Sequence, residues 1–136
     1  MKIVNPSESI STIISVLDGA KKYVVLVTPY TNLNGWQNLE DAINNAVKRG
    51  VEVSYYVREK EGVPGTEKLD AVIYEVPNLH SKMFYSENKA VIGSAHLKYN
   101  EDINWTYVLD LENEIIEMKN FFEKNIKPFA VKNKQL

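Results

Sequence analysis

A run of β-branched residues at 23–27, an amphipathic helix pattern and a second run at 51–57 constrain the fold more than any other feature of the sequence. A continuous run of this kind suits a strand that is buried on both faces. The apolar residues between the runs recur at helical spacing, and Gly50 ends the helix; they are Leu39, Ala42, Ile43, Ala46 and Val47. Strand, helix and strand form a βαβ unit with a right-handed crossover. The sequence therefore predicts an α/β fold.

The remaining patterns complete one domain of residues 1–136 without internal repeats. A first helix opens at residues 6–9, continues through Ile10, Ile13, Ile14 and Leu17, and ends at Gly19. After the βαβ unit we expect a loop at 59–70, a strand at 71–76, a hairpin, a strand at 105–111 and a closing helix from Asn113. The predicted order is αβαβ, a run of strands and a last helix, which gives a sandwich with a mixed sheet.

The predicted hairpin holds both histidines of the chain. Its two apolar-rich runs, 80–86 and 90–96, flank the polar connector 87–89. A three-residue loop sets Lys82 opposite Ser94 and His80 opposite His96. One face then carries alternate residues of both strands: His80, Lys82, Phe84, Ser86, Ala90, Ile92, Ser94 and His96. A loop of two or four residues shifts the pairing without scattering this set.

These side chains suit a phosphate diester. Lys82 and Ser94 supply donors to its oxygens, and a histidine supplies a nucleophile or a proton carrier. Each residue also has an ordinary structural explanation: a His-x-Lys pair occurs by chance, Gly93-Ser94 suits a turn or bulge, and His96 suits a satisfied polar residue at a strand end. The conjunction favours a functional site.

The segment resembles the HxK(x)4D(x)6GSxN signature of the phospholipase D superfamily, especially its small single-motif nucleases. The similarity extends to the first strand, where residues 23–30 end in Pro29-Tyr30, and to the strand at 105–111 with the helix that follows it. The resemblance implies a phospholipase D-like α/β/α sandwich with a central mixed β-sheet.

The sequence departs from the family pattern at four points. The family Asp is Glu87, the gap from it to Gly93 is one residue shorter, and the family Asn falls on His96. The downstream Asn-x-Glu-Asn element aligns with residues 104–107, so Thr106 replaces the carboxylate that orients a catalytic histidine. Asp110 and Glu112 are the candidate substitutes.

The family's chemistry needs two HxK histidines, one that attacks phosphorus and one that protonates the leaving oxygen. This chain has one such motif, so the resemblance implies a homodimer in which both copies of His80 meet at a two-fold axis. His80 and Lys82 are then catalytic, Lys82, Ser94 and His96 bind phosphate, and Glu87 and Gly93 support the site. In a variant scheme His96 is the acid within one chain. Neither scheme needs a metal or cofactor, and the sequence has no His/Asp/Glu cluster at ligand spacing.

Composition limits the other functional classes. The chain has no cysteine, which excludes thiol catalysis and zinc–thiolate sites. No segment has the length of a membrane span, and Pro6 to Ser9 interrupt any signal-peptide core, so we expect a cytoplasmic protein with no membrane partner. A phosphodiesterase acting on DNA or RNA is the first interpretation. A catalytically impaired module that binds nucleic acid or phosphate is the second, and a phospholipid hydrolase is the third.

The net charge of −2 requires any basic surface for nucleic acid to be local. The basic candidates are Lys48, Arg49, Arg58, Lys60, Lys82, Lys89 and Lys98. Aromatic side chains stack on bases, but those at strand positions more often belong to the core; the candidates are Trp36, Tyr55, Tyr56, Tyr99 and Trp105.

Overall fold

The computed structural model of the chain describes residues 2–98 and 103–133. Its helices are α1 (Ser9–Asp18), α2 (Gln37–Lys48) and α3 (Glu112–Asn125). Its strands are β1 (Lys2–Val4), β2 (Tyr23–Val27), β3 (Thr31–Asn32), β4 (Glu52–Arg58), β5 (Val72–Val76), β6 (Met83–Ser86), β7 (Ala90–Gly93), β8 (Leu97–Lys98), β9 (Thr106–Leu109) and β10 (Val131–Lys132). Two 3-10 helices, Pro6–Glu8 and Lys127–Phe129, precede α1 and follow α3.

One large mixed sheet forms the centre of the fold. Its strands lie in the order β1-β9-β7-β6-β2-β4-β5-β10. The neighbours β2, β4 and β5 are parallel, and the other pairs are antiparallel. The short strands β3 and β8 form a separate parallel pair. Parallel pairing of β2 with β4 confirms the predicted βαβ unit.

Helices cover both faces of the sheet. Val24 and Leu26 of β2 point to the face that α1 and α2 cover, where they join one buried cluster. Val25 and Val27 point to the opposite face and pack in a second cluster with Phe122 of α3. Alternate residues of β2 thus pack into two different buried clusters, which explains why residues 24–27 are all apolar. The layers confirm the predicted α/β/α sandwich with a central mixed sheet.

The predicted element order is wrong at the start of the chain. Strand β1 precedes the first helix and pairs with β9, with Lys2 opposite Val108 and Val4 opposite Thr106. Only three residues long and largely exposed, β1 has no alternating pattern long enough to be recognised. Its hydrogen bonds come from a strand about 100 residues later in the chain. In residues 2–98 and 103–133, no helix is long and apolar enough to cross a membrane.

Candidate active site

The hairpin forms, but its register differs from the prediction. Its pairs are Met83↔Ile92, Phe84↔Val91 and Tyr85↔Ala90, and the backbone N–H of Ser86 donates to the carbonyl of Lys89 at 2.9 Å. The loop therefore has two residues, Glu87 and Asn88, which is the shorter alternative to the three-residue loop.

This register also changes the faces. Phe84 and Val91 share the face toward α1 and α2, whereas Ala90 and Ile92 point to the other side. The predicted face that joined Phe84 to Ala90 and Ile92 is therefore wrong. The ladder ends at Met83↔Ile92, so Lys82 is not paired with Ser94, and His80 is not paired with His96. These four residues lie on the segments that enter β6 and leave β7.

The side chain of Arg58, at the end of β4, fixes the segment that carries His80 and Lys82. Leu79 is buried, and its carbonyl accepts a hydrogen bond of 3.2 Å from the guanidinium of Arg58. The backbone N–H of Arg58 donates to the carbonyl of Pro29 at 3.0 Å, which joins the ends of β4 and β2 to the same place. His80 is exposed, and Lys82 is partly buried. His80 and Lys82 are thus held by an anchored, irregular segment rather than by the hairpin ladder.

The hydroxyl of Ser94 links the end of β7 to the residues before β9. It donates to the Oδ1 atom of Asn104 at 3.0 Å and accepts the backbone N–H of Trp105 at 3.1 Å. Because a hydroxyl has one proton, Ser94 must exchange its bond to Asn104 for one to a phosphate oxygen if it is to act as a donor. Asn104 is a neighbour of the site that residue patterns did not single out for this role.

His96 lies between the segment after β7 and the end of β2. Its ring meets the ring of Tyr30 edge-on, with centroids 5.2 Å apart. The next residue, Leu97, donates its backbone N–H to the hydroxyl of Thr28 at 3.0 Å, which fastens this segment to the end of β2. The contact with Tyr30 was not predicted. The only sequence feature that pointed to Tyr30 was its position in the Pro29-Tyr30 pair at the end of a strand.

Positive charges gather around His96. Burial lowers the pKa of its imidazole, and the charges of Lys82, Lys98 and His80 lower it further. Within the described residues its Nδ1 atom is buried without a hydrogen-bond partner. Two histidines and two lysines therefore interact electrostatically in one region, which favours an anionic ligand there. Their individual roles stay predictions.

Glu87 lies at the opposite end of the hairpin. Its carboxylate accepts the backbone N–H groups of Lys21 at 2.8 Å, Lys22 at 3.2 Å and Tyr23 at 3.3 Å, at the start of β2. The amide of Asn88 donates to the carbonyl of Gly19 at 3.0 Å in the same region. Glu87 thus ties the hairpin turn to the main sheet and does not contact the histidines.

Gly93 packs closely against β9. It pairs with Thr106, and a Cβ atom at this position would lie 2.4 Å from the backbone carbonyl oxygen of Trp105. Since backbone atoms define that contact, a side chain at residue 93 must push β7 and β9 apart. Glycine keeps Ser94 within reach of Asn104 and Trp105.

The expected carboxylate substitutes lie in the wrong place. Asp110 and Glu112 line a depression with Glu87 and Asn88, at the turn end of the hairpin. Thr106 is buried, and its hydroxyl donates to the Oγ atom of Ser9 at 2.8 Å. Two small hydroxyl side chains thus meet where the family resemblance calls for a carboxylate. Neither Asp110 nor Glu112 takes over that function at the histidine end.

Six of the twelve candidate aromatic and basic side chains are buried in the core or bonded to other groups of the chain. Trp36, Tyr55 and Tyr56 are buried in the core, Trp105 is half exposed, and Tyr99 lies outside the described residues. Arg49 binds the carbonyls of Leu17 and Ala20, Arg58 binds that of Leu79, and Lys89 binds the hydroxyl of Ser15. Lys82 and Lys98 are the basic candidates that interact with His96. Among residues 2–98 and 103–133 there is no cluster of three or more His, Cys, Asp or Glu residues that could hold a metal ion.

Comparison with known proteins gives no match by sequence and clear matches by structure. No protein-family model matches the chain, and no curated protein matches it significantly. Nuc from Salmonella typhimurium, a phospholipase D family member, superposes with a TM-score of 0.76 at 13% identity over 98% of this chain and 97% of Nuc. NucT from Helicobacter pylori superposes with a TM-score of 0.78 at 15% identity over 97% of this chain and 98% of NucT.

A third match is TrmBL2, an archaeal chromatin protein whose structure shows a mode of DNA binding. It superposes with a TM-score of 0.70 at 16% identity, over 97% of this chain and 54% of TrmBL2. At these identities the similarity concerns the fold. The arrangement of helices and strands is that of Nuc and NucT, and this chain has the phospholipase D-like fold.

Proposed function

We propose that this protein is a metal-independent phosphodiesterase that cleaves nucleic acid, with a site formed by two copies of the chain. The observation that carries the proposal is the electrostatic cluster of His80, Lys82, His96 and Lys98 beside the paired ends of β6 and β7. The phospholipase D-like fold of Nuc, and the DNA binding of TrmBL2, make a phosphodiester of nucleic acid the favoured substrate.

The proposed reaction has two displacements at phosphorus. An imidazole nitrogen of His80 attacks, a P–N bond forms, and the P–O bond to the leaving group breaks as the partner subunit's His80 gives that oxygen a proton. Water then attacks phosphorus, the partner subunit's His80 takes its proton, and the P–N bond breaks. Lys82 neutralises charge on the non-bridging oxygens in both steps. General acid assistance of this kind is typically worth about 10²–10⁴ in rate.

His96 acts in this scheme as a neutral hydrogen-bond donor. Because burial and the surrounding cations lower its pKa, the ring is uncharged at neutral pH. A buried N–H without an acceptor is rarer than a buried acceptor without a donor. The unpartnered Nδ1 therefore favours the tautomer with the proton on Nε2. An Nε2–H group donates to a phosphate oxygen as the family Asn does, and a lowered pKa makes His96 a weaker candidate for the acid of a one-chain mechanism.

One observation favours a second function, a module that binds nucleic acid without cleaving it. Thr106 aligns with the family carboxylate, and its hydroxyl bonds Ser9. An imidazole without a carboxylate to orient it is a poorer nucleophile or acid. This candidate predicts tight, salt-dependent binding without turnover.

The decisive experiment is cleavage of end-labelled single- and double-stranded DNA and RNA in excess EDTA. We expect wild-type protein to cleave, and His80→Ala and Lys82→Ala to lose activity by a factor of about 10³ or more. Lys124→Ala removes an exposed lysine in the last turn of α3 and serves as the control for loss of a positive charge. Binding without cleavage by folded wild-type protein would reject the enzyme and support the binding module.

The shared site is tested by mixing wild-type and His80→Ala chains. After random exchange at one part wild type to three parts variant, about one-sixteenth of the dimers carry two intact copies of His80. Independent monomers would retain about one quarter of the activity, because about one quarter of the chains are wild type. A shared site should leave much less activity than that. Activity proportional to the wild-type fraction would reject the shared site and support the one-chain scheme, in which His96 is the acid.

A further inference from the structure

A cavity of about 310 Å³ opens directly beside His96. It lies between the start of α1, residues 95–98 and residues 103–104. Lys82 and Ser94 do not line it, and Ser94 donates a hydrogen bond to Asn104 in its wall. Its walls combine apolar side chains with polar groups from Ser7, Ser9, His96, Lys98 and Asn104. The apolar part includes Ile10, Ile13, Trp36 and Ala95. A concave site that mixes apolar side chains with a few polar groups is typical of small-molecule binding.

The position of the cavity limits what it binds. His96 and Lys98 lie at its wall and belong to the cationic cluster that the proposed function assigns to the phosphodiester. A ligand that fills the cavity must therefore be apolar on its faces and attached close to a phosphate. A nucleobase meets both conditions, because one sugar separates it from the phosphodiester.

The cavity has room for one base. Its volume of about 310 Å³ corresponds to about ten water molecules at roughly 30 Å³ each, which is more than one planar base occupies. A base pair in a duplex is too large and is held in its stack. Only an unpaired base, or one flipped out of the stack at a cost in energy, reaches the cavity.

Resting on the proposed nuclease function, we infer that this cavity binds the base next to the scissile phosphate and gives the enzyme its preference for single-stranded nucleic acid. Contact of a base with apolar and aromatic side chains contributes enough affinity for a factor of about ten or more. Because such contacts accept every base, the preference concerns unpaired structure rather than sequence.

The test compares a normal single strand with a strand of equal length whose bases have been replaced by abasic linkages. We expect wild-type protein to cleave the normal strand with a kcat/KM at least about tenfold higher. Ile10→Trp fills the cavity and should bring the ratio close to one. Ile14→Trp places the same side chain one helical turn later, against the same core but away from the cavity, and should keep the wild-type ratio.

The outcomes separate this inference from the proposed function. If neither strand is cleaved, the nuclease proposal fails. The base pocket is then tested by the ratio of the binding affinities for the normal and the abasic strand, measured by fluorescence anisotropy. If both strands are cleaved equally by wild-type protein, or if folded Ile10→Trp keeps its ratio, the base pocket is wrong and the nuclease stands. Should Ile10→Trp fail to fold, Ile10→Phe replaces it. An independent measurement compares two inhibitors of cleavage, a nucleoside monophosphate and deoxyribose 5-phosphate, which lacks the base. We expect the nucleoside monophosphate to inhibit more strongly, and equal inhibition would reject the pocket.

Discussion

Replacement of Glu87 by glutamine tests whether one carboxylate holds the hairpin to the sheet. The carboxylate accepts three backbone N–H groups at 2.8, 3.2 and 3.3 Å. Glutamine has the same shape, but it offers one acceptor oxygen and turns an N–H₂ group toward donors. At least one hydrogen bond is lost, and the others are no longer charge-assisted.

The expected loss of stability can be worked from these contacts. A hydrogen bond to a charged group contributes about 1.5–3 kcal/mol. Two of the three bonds to Glu87 are long, and water screens the partly exposed side chain, so the total is reduced. We expect Glu87→Gln to lower the free energy of unfolding by about 1–2 kcal/mol, which corresponds to roughly 3–8 °C in Tm for a chain of this length.

The effect should depend on pH in one direction. Partial burial raises the pKa of Glu87, but the backbone hydrogen bonds at Lys21, Glu87, Tyr23 and Lys22 outweigh burial and bring the pKa below its ordinary value of 4.5. A carboxylate with a lowered folded-state pKa stabilises fully above the ordinary value and loses that contribution as pH falls through the folded-state pKa. The difference between wild type and Glu87→Gln should therefore shrink between about pH 6 and pH 3.

Urea unfolding followed by tryptophan fluorescence measures both effects, with Glu87→Asp as the control that keeps the charge. Cleavage by the folded variant should change little, because Glu87 lies at the far end of the hairpin from His80. Two results would refute this reasoning: a stability difference that is the same at pH 7 and pH 3, or a large loss of turnover in a variant of wild-type stability.

Two further predictions concern residues near the histidines. Gly93→Ala should lower the free energy of unfolding by about 1–3 kcal/mol, because its Cβ meets the backbone carbonyl of Trp105. Gly19 has a negative φ of −88°, so Gly19→Ala should lower the free energy of unfolding by less in the same urea titration. Equal losses for the two variants would contradict the steric explanation. His96→Asn should resist acid better than wild type, because a histidine with a lowered pKa loses its stabilising contribution as pH falls below 6.5. The gain at pH 5 over pH 8 should be below about 1 kcal/mol for this partly exposed ring, and parallel pH profiles of the urea midpoint would contradict it.

Local patterns were sufficient to predict most of the fold. The run at 23–27 indicates a strand buried on both faces, and β2 packs into both cores. Helical spacing up to Gly50 predicts α2, which spans Gln37–Lys48, and the glycines and proline at 59–70 predict the loop before β5. These features depend on each segment's own period and turn residues, which the sequence displays directly.

The pairing of distant segments was beyond such patterns. The hairpin register is defined by the ladder from Met83↔Ile92 to Tyr85↔Ala90 and by the bond from Ser86 to Lys89. Connectors of two and three residues look alike in a polar sequence, so the sequence does not show which register forms. The meeting of Thr106 with Ser9 depends on β9 and the start of α1, which are 97 residues apart. No period in either segment reports that contact. The partner of Thr106, which aligns with the family carboxylate, could therefore be identified only from the folded structure.

The structure separates the two kinds of residue in the signature-like segment. Glu87 and Gly93 act on the backbone, one at the start of β2 and one against β9, whereas His80, Lys82, Ser94 and His96 lie outside the ladder. Two departures from the family pattern, the longer acidic side chain and the shorter spacing, both involve the turn that Glu87 anchors. The turn lies at the end of the hairpin opposite the histidines, so these departures leave the cationic cluster intact. The departures that bear on chemistry are therefore His96 and Thr106, and only variants at those positions decide how far the proposed reaction follows the family.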